Sequence, residues 1–178
     1  VFGMSFWLPL IDWIPLAVGT TPPWFVLAFV QTLFLMAWAL VARWTQLWAW
    51  ARGPIIQALL FALTWAGVDA ARSRWPWSGF PWGSVALPQV DSSLGHLAPY
   101  GGTTLITAVV IALAVLVRRA FAARDASVIR EHWFSRPALA AIVVAAYVAP
   151  LALTLPNQAE NGMLRIGVIQ GDIALPGA

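Results

Sequence analysis

The chain has 178 residues, 61% hydrophobic and 10% charged, against about 45–50% and about 25% in ordinary soluble domains, which excludes a water-soluble globule. The formal charge is +3 and the pI about 10.6, yet the basic residues are all Arg and flank apolar runs instead of forming a continuous face, which argues against nucleic-acid binding. Cys and Lys are both absent, so disulfides, thiolate metal sites, Cys nucleophiles and Lys-based catalysis are excluded within these residues.

Residues 1–18 are apolar but carry Pro9, Asp12 and Pro15, and they read as the end of a truncated or kinked membrane helix. The run opens at Val1 in mid-stride, which reads as an internal piece of a longer chain. Residues 20–23 form a turn. The stretch 24–42 has Gln31 as its single amide and no charge, and at about 1.5 Å per residue it crosses a hydrocarbon core of about 30 Å. Residues 43–53 hold Arg43, Arg52 and three Trp, a composition suited to a helix end in the membrane interface. Pro54 then opens a span over 54–71, interrupted by Gln57, Thr64 and Asp69.

Residues 72–102, RSRWPWSGFPWGSVALPQVDSSLGHLAPYGG, break the pattern. Trp75, Trp77, Phe80 and Trp82 alternate with Pro76, Gly79, Pro81 and Gly83, which forbids a regular helix, and such aromatic density belongs at a membrane–water boundary. A shorter apolar run over 103–117 ends at Arg118 and Arg119, a polar stretch reaches Arg136, and 137–156 makes the last span with Tyr147 and Pro150 inside it. Residues 163–173, MLRIGVIQGDI, are too short to cross as a helix and read as the first β-strand of an α/β domain.

The fold class expected is therefore an all-α polytopic membrane helix bundle over 1–156, followed by the first β-strand of a truncated α/β domain over 163–178. Alternating spans put Arg43, Arg52, Arg118, Arg119, Arg124, Arg130 and Arg136 on one side and Arg72, Arg74 and Arg165 on the other. Basic loops mark the cytoplasmic side, so segments 72–102 and 157–178 are expected together on the extracytoplasmic face of a bacterial cell membrane.

Asp69 and Arg72, three apart, share a helix face, and they read either as a neutralising pair or as a holder for a polar head group. Phe80-Pro81-Trp82 reads either as a wall beside an acyl-chain pocket or as an interfacial anchor. His96 has no evident nucleophile with an orienting acid around it, and His132 lies in an Arg-rich loop that marks topology or binds anionic lipid. Gly79 and Gly83 match a helix-dimer spacing, but Pro81 lies between them and the match is set aside. No broken-helix pair at matching positions of two repeats supports a transporter.

The segment WPWSGFPWGSVALPQVDSSLGHLAPYGG resembles the stretch that marks apolipoprotein N-acyltransferases, through Gly79-Phe80-Pro81-Trp82, Gln89 with Asp91, and Leu97-Ala98-Pro99 with Gly102. Residues 166–173, IGVIQGDI, resemble the opening strand of that family's nitrilase-like domain, and Asp69 and Arg72 fall where the family has an acidic residue and an Arg. The Arg-only, Ala-rich composition fits an actinobacterial relative.

The resemblance implies a membrane enzyme whose nitrilase-like domain, by a Cys thiolate with a Glu base and a Lys, moves a phospholipid acyl chain through a thioester to the N-terminal diacylglyceryl cysteine of a lipoprotein, without cofactor or metal. Lacking Cys and Lys, this chain carries over no catalytic residue and is expected to be inactive alone. Asp69, Arg72, Phe80, Pro81, Trp82 and Gln89 are its candidate substrate-binding residues. The alternative is a non-catalytic membrane scaffold whose inner Arg loop docks a cytosolic partner such as a polyprenyl-phosphate mannose synthase.

Overall fold

A computed structural model describes residues 1–122, 136–154 and Gly167. The described residues are helix, 3-10 turn and loop, without a strand. The strand expected over 163–173 lies outside the described residues, apart from Gly167. The chain divides into two compact units, with the boundary between Leu33 and Phe34 inside one long helix.

In the first unit the 1–18 stretch is two short helices, α1 (Phe2–Leu10) and α2 (Ile14–Val18). Pro9 lies one residue before the end of α1, Pro15 sits in the first turn of α2, and exposed Asp12 occupies the turn between them. A residue without an N–H is tolerated in a first turn but not in a helix interior, which explains why this run does not continue as one rod. Gly19, at φ 77°, closes α2 by donating its N–H to Pro15 O at 2.9 Å. The opening part of α3 (Pro22–Thr45) packs on α1. Trp24 donates its indole N–H to Leu8 O at 3.0 Å, and Gly3 lies so close to the Thr32 side chain that a Cβ there would collide with it.

The second unit holds the remainder of α3, a 3-10 turn at Ala49–Arg52, α4 (Pro54–Arg72), an irregular loop with 3-10 turns at Leu87–Gln89 and Ser93–Leu97, α5 (Ala98–Ala122), and α6 (Arg136–Val148) extended by the 3-10 turn Ala149–Ala152. α5 is interrupted at Gly101 and Gly102; the latter adopts φ 58°, ψ −156°, a region open in practice to Gly alone. The uninterrupted rod therefore starts at Thr103.

In α4 the buried positions are Pro54, Gln57, Ala58, Ala62, Ala66, Asp69 and Arg72, spaced three and four apart, so one stripe faces inward and its small Ala side chains admit close neighbours. Ala58, Val115, Leu116 and Leu139 form a core joining α4, α5 and α6. Arg119, near the end of α5, donates from Nε to Gln57 Oε1 at 2.8 Å near the start of α4, with a second bond from Nη2, so the two helices run antiparallel. A second core of Ala86, Leu94 and Ile106 folds the loop onto the first half of α5. Trp38 of α3 donates its indole N–H to Phe61 O at 3.3 Å and packs edge-on against Phe61 and Trp65 of α4.

Three helical stretches, Pro22–Thr45, Pro54–Arg72 and Ser93–Phe121, are long and apolar enough to cross a membrane, and Pro137–Ala152 is a shorter apolar helix. They display Phe29, Met36, Leu40, Leu59, Leu63 and Val144 outward, side chains that only a hydrocarbon surrounding would cover at this density. The described residues are those of an all-helical membrane protein.

Candidate functional site

The loop between α4 and α5 is organised by one side chain. Arg72, the last residue of α4, is 2% exposed. Its Nε donates to Asp69 Oδ1 at 2.7 Å and its Nη2 lies 2.5 Å from the same oxygen. Its Nη1 donates to two loop carbonyls, Phe80 O at 2.9 Å and Trp82 O at 2.8 Å. The other carboxylate oxygen, Asp69 Oδ2, accepts from Ser84 Oγ at 3.4 Å, and Ser84 Oγ accepts from the Ala86 N–H at 3.4 Å. A planar guanidinium with five N–H donors in a fixed fork suits this task, because it can meet a carboxylate on one side and carbonyls on another.

The backbone between these contacts is forced round tightly. The Phe80 N–H returns to Arg72 O at 2.8 Å and the Gly79 N–H to Pro76 O at 2.8 Å. The Trp75–Pro76 peptide is cis, and Trp77, Ser78, Gly79 and Gly83 all have positive φ. At Gly79, with φ 80°, a Cβ would overlap the backbone of Ser73 and Arg74, so only Gly admits this return of the loop over the end of α4. Left-handed Trp77 and Ser78 are costly conformations for L side chains, and they persist where surrounding bonds over-determine them, as the Arg72 contacts do here.

The consequence is a rigid frame that presents aromatic rings. Trp75, Trp77 and Trp82 are 68%, 88% and 54% exposed, Pro81 is exposed, and Phe80 is half-buried. Trp75 also meets Phe34 of α3 edge-on at 6.1 Å. An indole is apolar in body and polar at its N–H, so three of them at one end of a membrane bundle make a surface that partitions into the lipid headgroup region.

Gln89 belongs to a second knot further along the loop. Its carbonyl accepts from the Ser92 N–H at 3.0 Å and from Ser92 Oγ at 2.9 Å, and its Oε1 accepts from the same hydroxyl at 3.2 Å. Tyr100 donates its hydroxyl to Thr154 O at 3.3 Å, tying the end of the loop to the chain that follows α6 and its 3-10 turn. The structure thus joins Asp69, Arg72, Phe80 and Trp82 in one network and sets Gln89 in another. Ser84, Tyr100 and the Gln57–Arg119 pair stand out only in three dimensions; for Gln57 the available signal was an amide inside an otherwise apolar span.

The Asp69 carboxylate is spent on Arg72 and Ser84, and His96 Nδ1 is buried without a hydrogen-bond partner.

A family model for the apolipoprotein N-acyltransferase N-terminal domain matches residues 1–116. Curated relatives named apolipoprotein N-acyltransferase include one from Pseudomonas putida, 30% identical over 165 residues, covering 87% of this chain and 30% of the relative. Another, from Thermosynechococcus vestitus, is 29% identical over 167 residues, covering 92% of this chain and 31% of the relative. A third, from Pseudomonas syringae, is 31% identical over 155 residues, 81% of this chain and 28% of the relative. The chain spans less than a third of the length of these relatives. No solved structure matches.

Proposed function

The chain belongs to the apolipoprotein N-acyltransferase family, by its N-terminal domain, and from that premise we propose that it is the membrane part of an enzyme that transfers a phospholipid acyl chain to the N-terminal diacylglyceryl cysteine of lipoproteins. The observation that carries this reading is the Arg72 clamp, which holds the Phe80 and Trp82 carbonyls inward and so turns Pro81 and the Trp82 ring outward at the end of two membrane-spanning helices.

In this reading Phe80, Pro81, Trp82 and Gln89 form the face along which lipid substrates reach the reacting centre. Asp69 and Arg72 serve the same site by fixing the shape of the loop. The loop is extracytoplasmic, on the side that holds fewer Arg, and residues 163–178 open a nitrilase-like domain on that side. An apolar frame in the bilayer guides the tails, while acyl transfer needs fixed dipoles and a nucleophile shielded from water. The Cys and Lys that the chemistry requires are absent from these residues, so the nucleophile lies elsewhere in the acyltransferase.

The test has two arms. The 178-residue chain, supplied with phospholipid and a diacylglyceryl lipopeptide, transfers no acyl group; turnover by it refutes the division of labour. In a complete acyltransferase carrying these residues, Trp82→Ala lowers acyl transfer more than it lowers membrane insertion. Equal losses reduce Trp82 to an interfacial anchor.

A further inference from the structure

The opposite end of the second unit carries a different surface, independent of the acyl-transfer reading. Along α4 it lies about 28 Å from the aromatic loop, from 19 residues at about 1.5 Å each. There the last turns of α5 and the first turns of α6 bound an open apolar groove of about 510 Å³, lined by Val117, Ala120, Phe121, Pro137, Ala140 and Val144 among others. Phe121 and Val144 are 81% and 62% exposed, so the groove opens on the hydrocarbon-facing side of the helices.

Arg118, exposed, is three residues before Phe121 and so shares its side of the helix. Arg119 beside it is already bonded to Gln57. The last turn of α3 adds Arg43, exposed and bonded to Gln46 Oε1 at 3.3 Å, and exposed Trp44, and the connection to α4 adds exposed Leu47 and Trp50. Among the described residues of this unit the acidic side chains are Asp69 and Asp91, and both belong to the aromatic-loop end. Among the described residues this end therefore combines positive charge, interfacial tryptophans and an apolar groove.

We propose that this end binds one anionic phospholipid, with an acyl chain in the α5–α6 groove and the headgroup phosphate at Arg118. The volume is that of a small-ligand site, commonly about 300–1,000 Å³, and a helix about 10–12 Å across would meet it with a single turn. Charge selects the headgroup: a cation near an anionic lipid surface favours it by about fivefold over a zwitterionic one. In the orientation given by the Arg distribution, this lipid belongs to the cytoplasmic leaflet.

The experiment titrates the purified 178-residue chain, in a neutral detergent, with phosphatidylglycerol, phosphatidylcholine and inorganic phosphate, and counts bound adducts by native mass spectrometry. Phosphatidylglycerol binds about fivefold tighter than phosphatidylcholine, and inorganic phosphate leaves no adduct. Arg118→Gln, a change at an exposed side chain, brings the two lipids to one affinity. Ala140→Phe, which fills the groove, removes both adducts; Val144→Trp is the second groove-filling variant, and circular dichroism checks that helix content is kept. Equal binding of the two lipids, a preference surviving Arg118→Gln, lipid adducts retained in both groove-filled and folded variants, or capture of inorganic phosphate as tight as that of the lipid overturns the proposal.

Discussion

Replacing Arg72 by Met keeps much of the side-chain volume and removes the guanidinium. With it go the contacts to Asp69 Oδ1 from Nε and Nη2 and those from Nη1 to Phe80 O and Trp82 O. Counting each charged hydrogen bond at about 1.5–3 kcal/mol would overstate the loss, because water recovers part of what an opened loop exposes. The larger effect is on Asp69, 9% exposed, which is left as a carboxylate with Ser84 as its remaining side-chain donor. Breaking one partner out of a buried ion pair costs about 3–5 kcal/mol, and that is the destabilisation expected of Arg72→Met.

The double variant Asp69→Asn/Arg72→Met removes the stranded charge and is expected to recover about 2 kcal/mol of it, a coupling in the range seen for contacting residues. Unfolding in mixed detergent micelles, followed by circular dichroism, measures both values. Limited chymotrypsin digestion supplies the local readout, since the bonds after Trp77 and Trp82 are cleavage sites that the frame holds in an unsuitable shape, whereas those after Trp75 and Phe80 lead into Pro and resist the enzyme. Loss of stability without faster cleavage in this loop, or additive single effects, refutes the clamp.

Three further outcomes follow from the same geometry. Gly79→Ala places a Cβ against the backbone of Ser73 and Arg74 at positive φ, so it destabilises by at least about 1–2 kcal/mol and opens the loop to the same protease; a neutral result removes the close approach. Gln57→Leu leaves Arg119 without its acceptor on α4 and lowers the melting temperature, while Gln57→Glu restores an acceptor and recovers most of the loss. Gly3→Leu drives a branched side chain into Thr32 and is expected to cost about 1–3 kcal/mol by overpacking where α1 meets α3; an unchanged melting temperature contradicts that contact.

The bundle was legible because apolar runs and their arginine boundaries are local facts: the uncharged stretch 24–42 lies within α3, and Pro54 opens α4. The pairing of Asp69 with Arg72 was legible for the same reason, since residues three apart on a helix meet. What the guanidinium does beyond that was not. Its other partners are carbonyls eight and ten residues on, reached through a cis peptide and a run of positive φ that no periodicity encodes. Gln57 meets Arg119 across 62 residues, a contact set by how two helices stack and not by either helix alone. In the 1–18 stretch Pro9 and Pro15 pointed to a truncated or kinked helix, and the structure resolves the break as two short helices with Asp12 between them.

The side of the membrane on which the aromatic loop sits decides the account. Single cysteines placed at Ser78 and at Ala126, in a chain that has none of its own, can be labelled in intact cells with a maleimide that does not cross the membrane. Labelling at position 78 from outside, with position 126 protected until the cells are opened, is the result predicted. Protection of position 78 and labelling of 126 would put the tryptophans in the cytoplasm and contradict the acyltransferase reading of this loop.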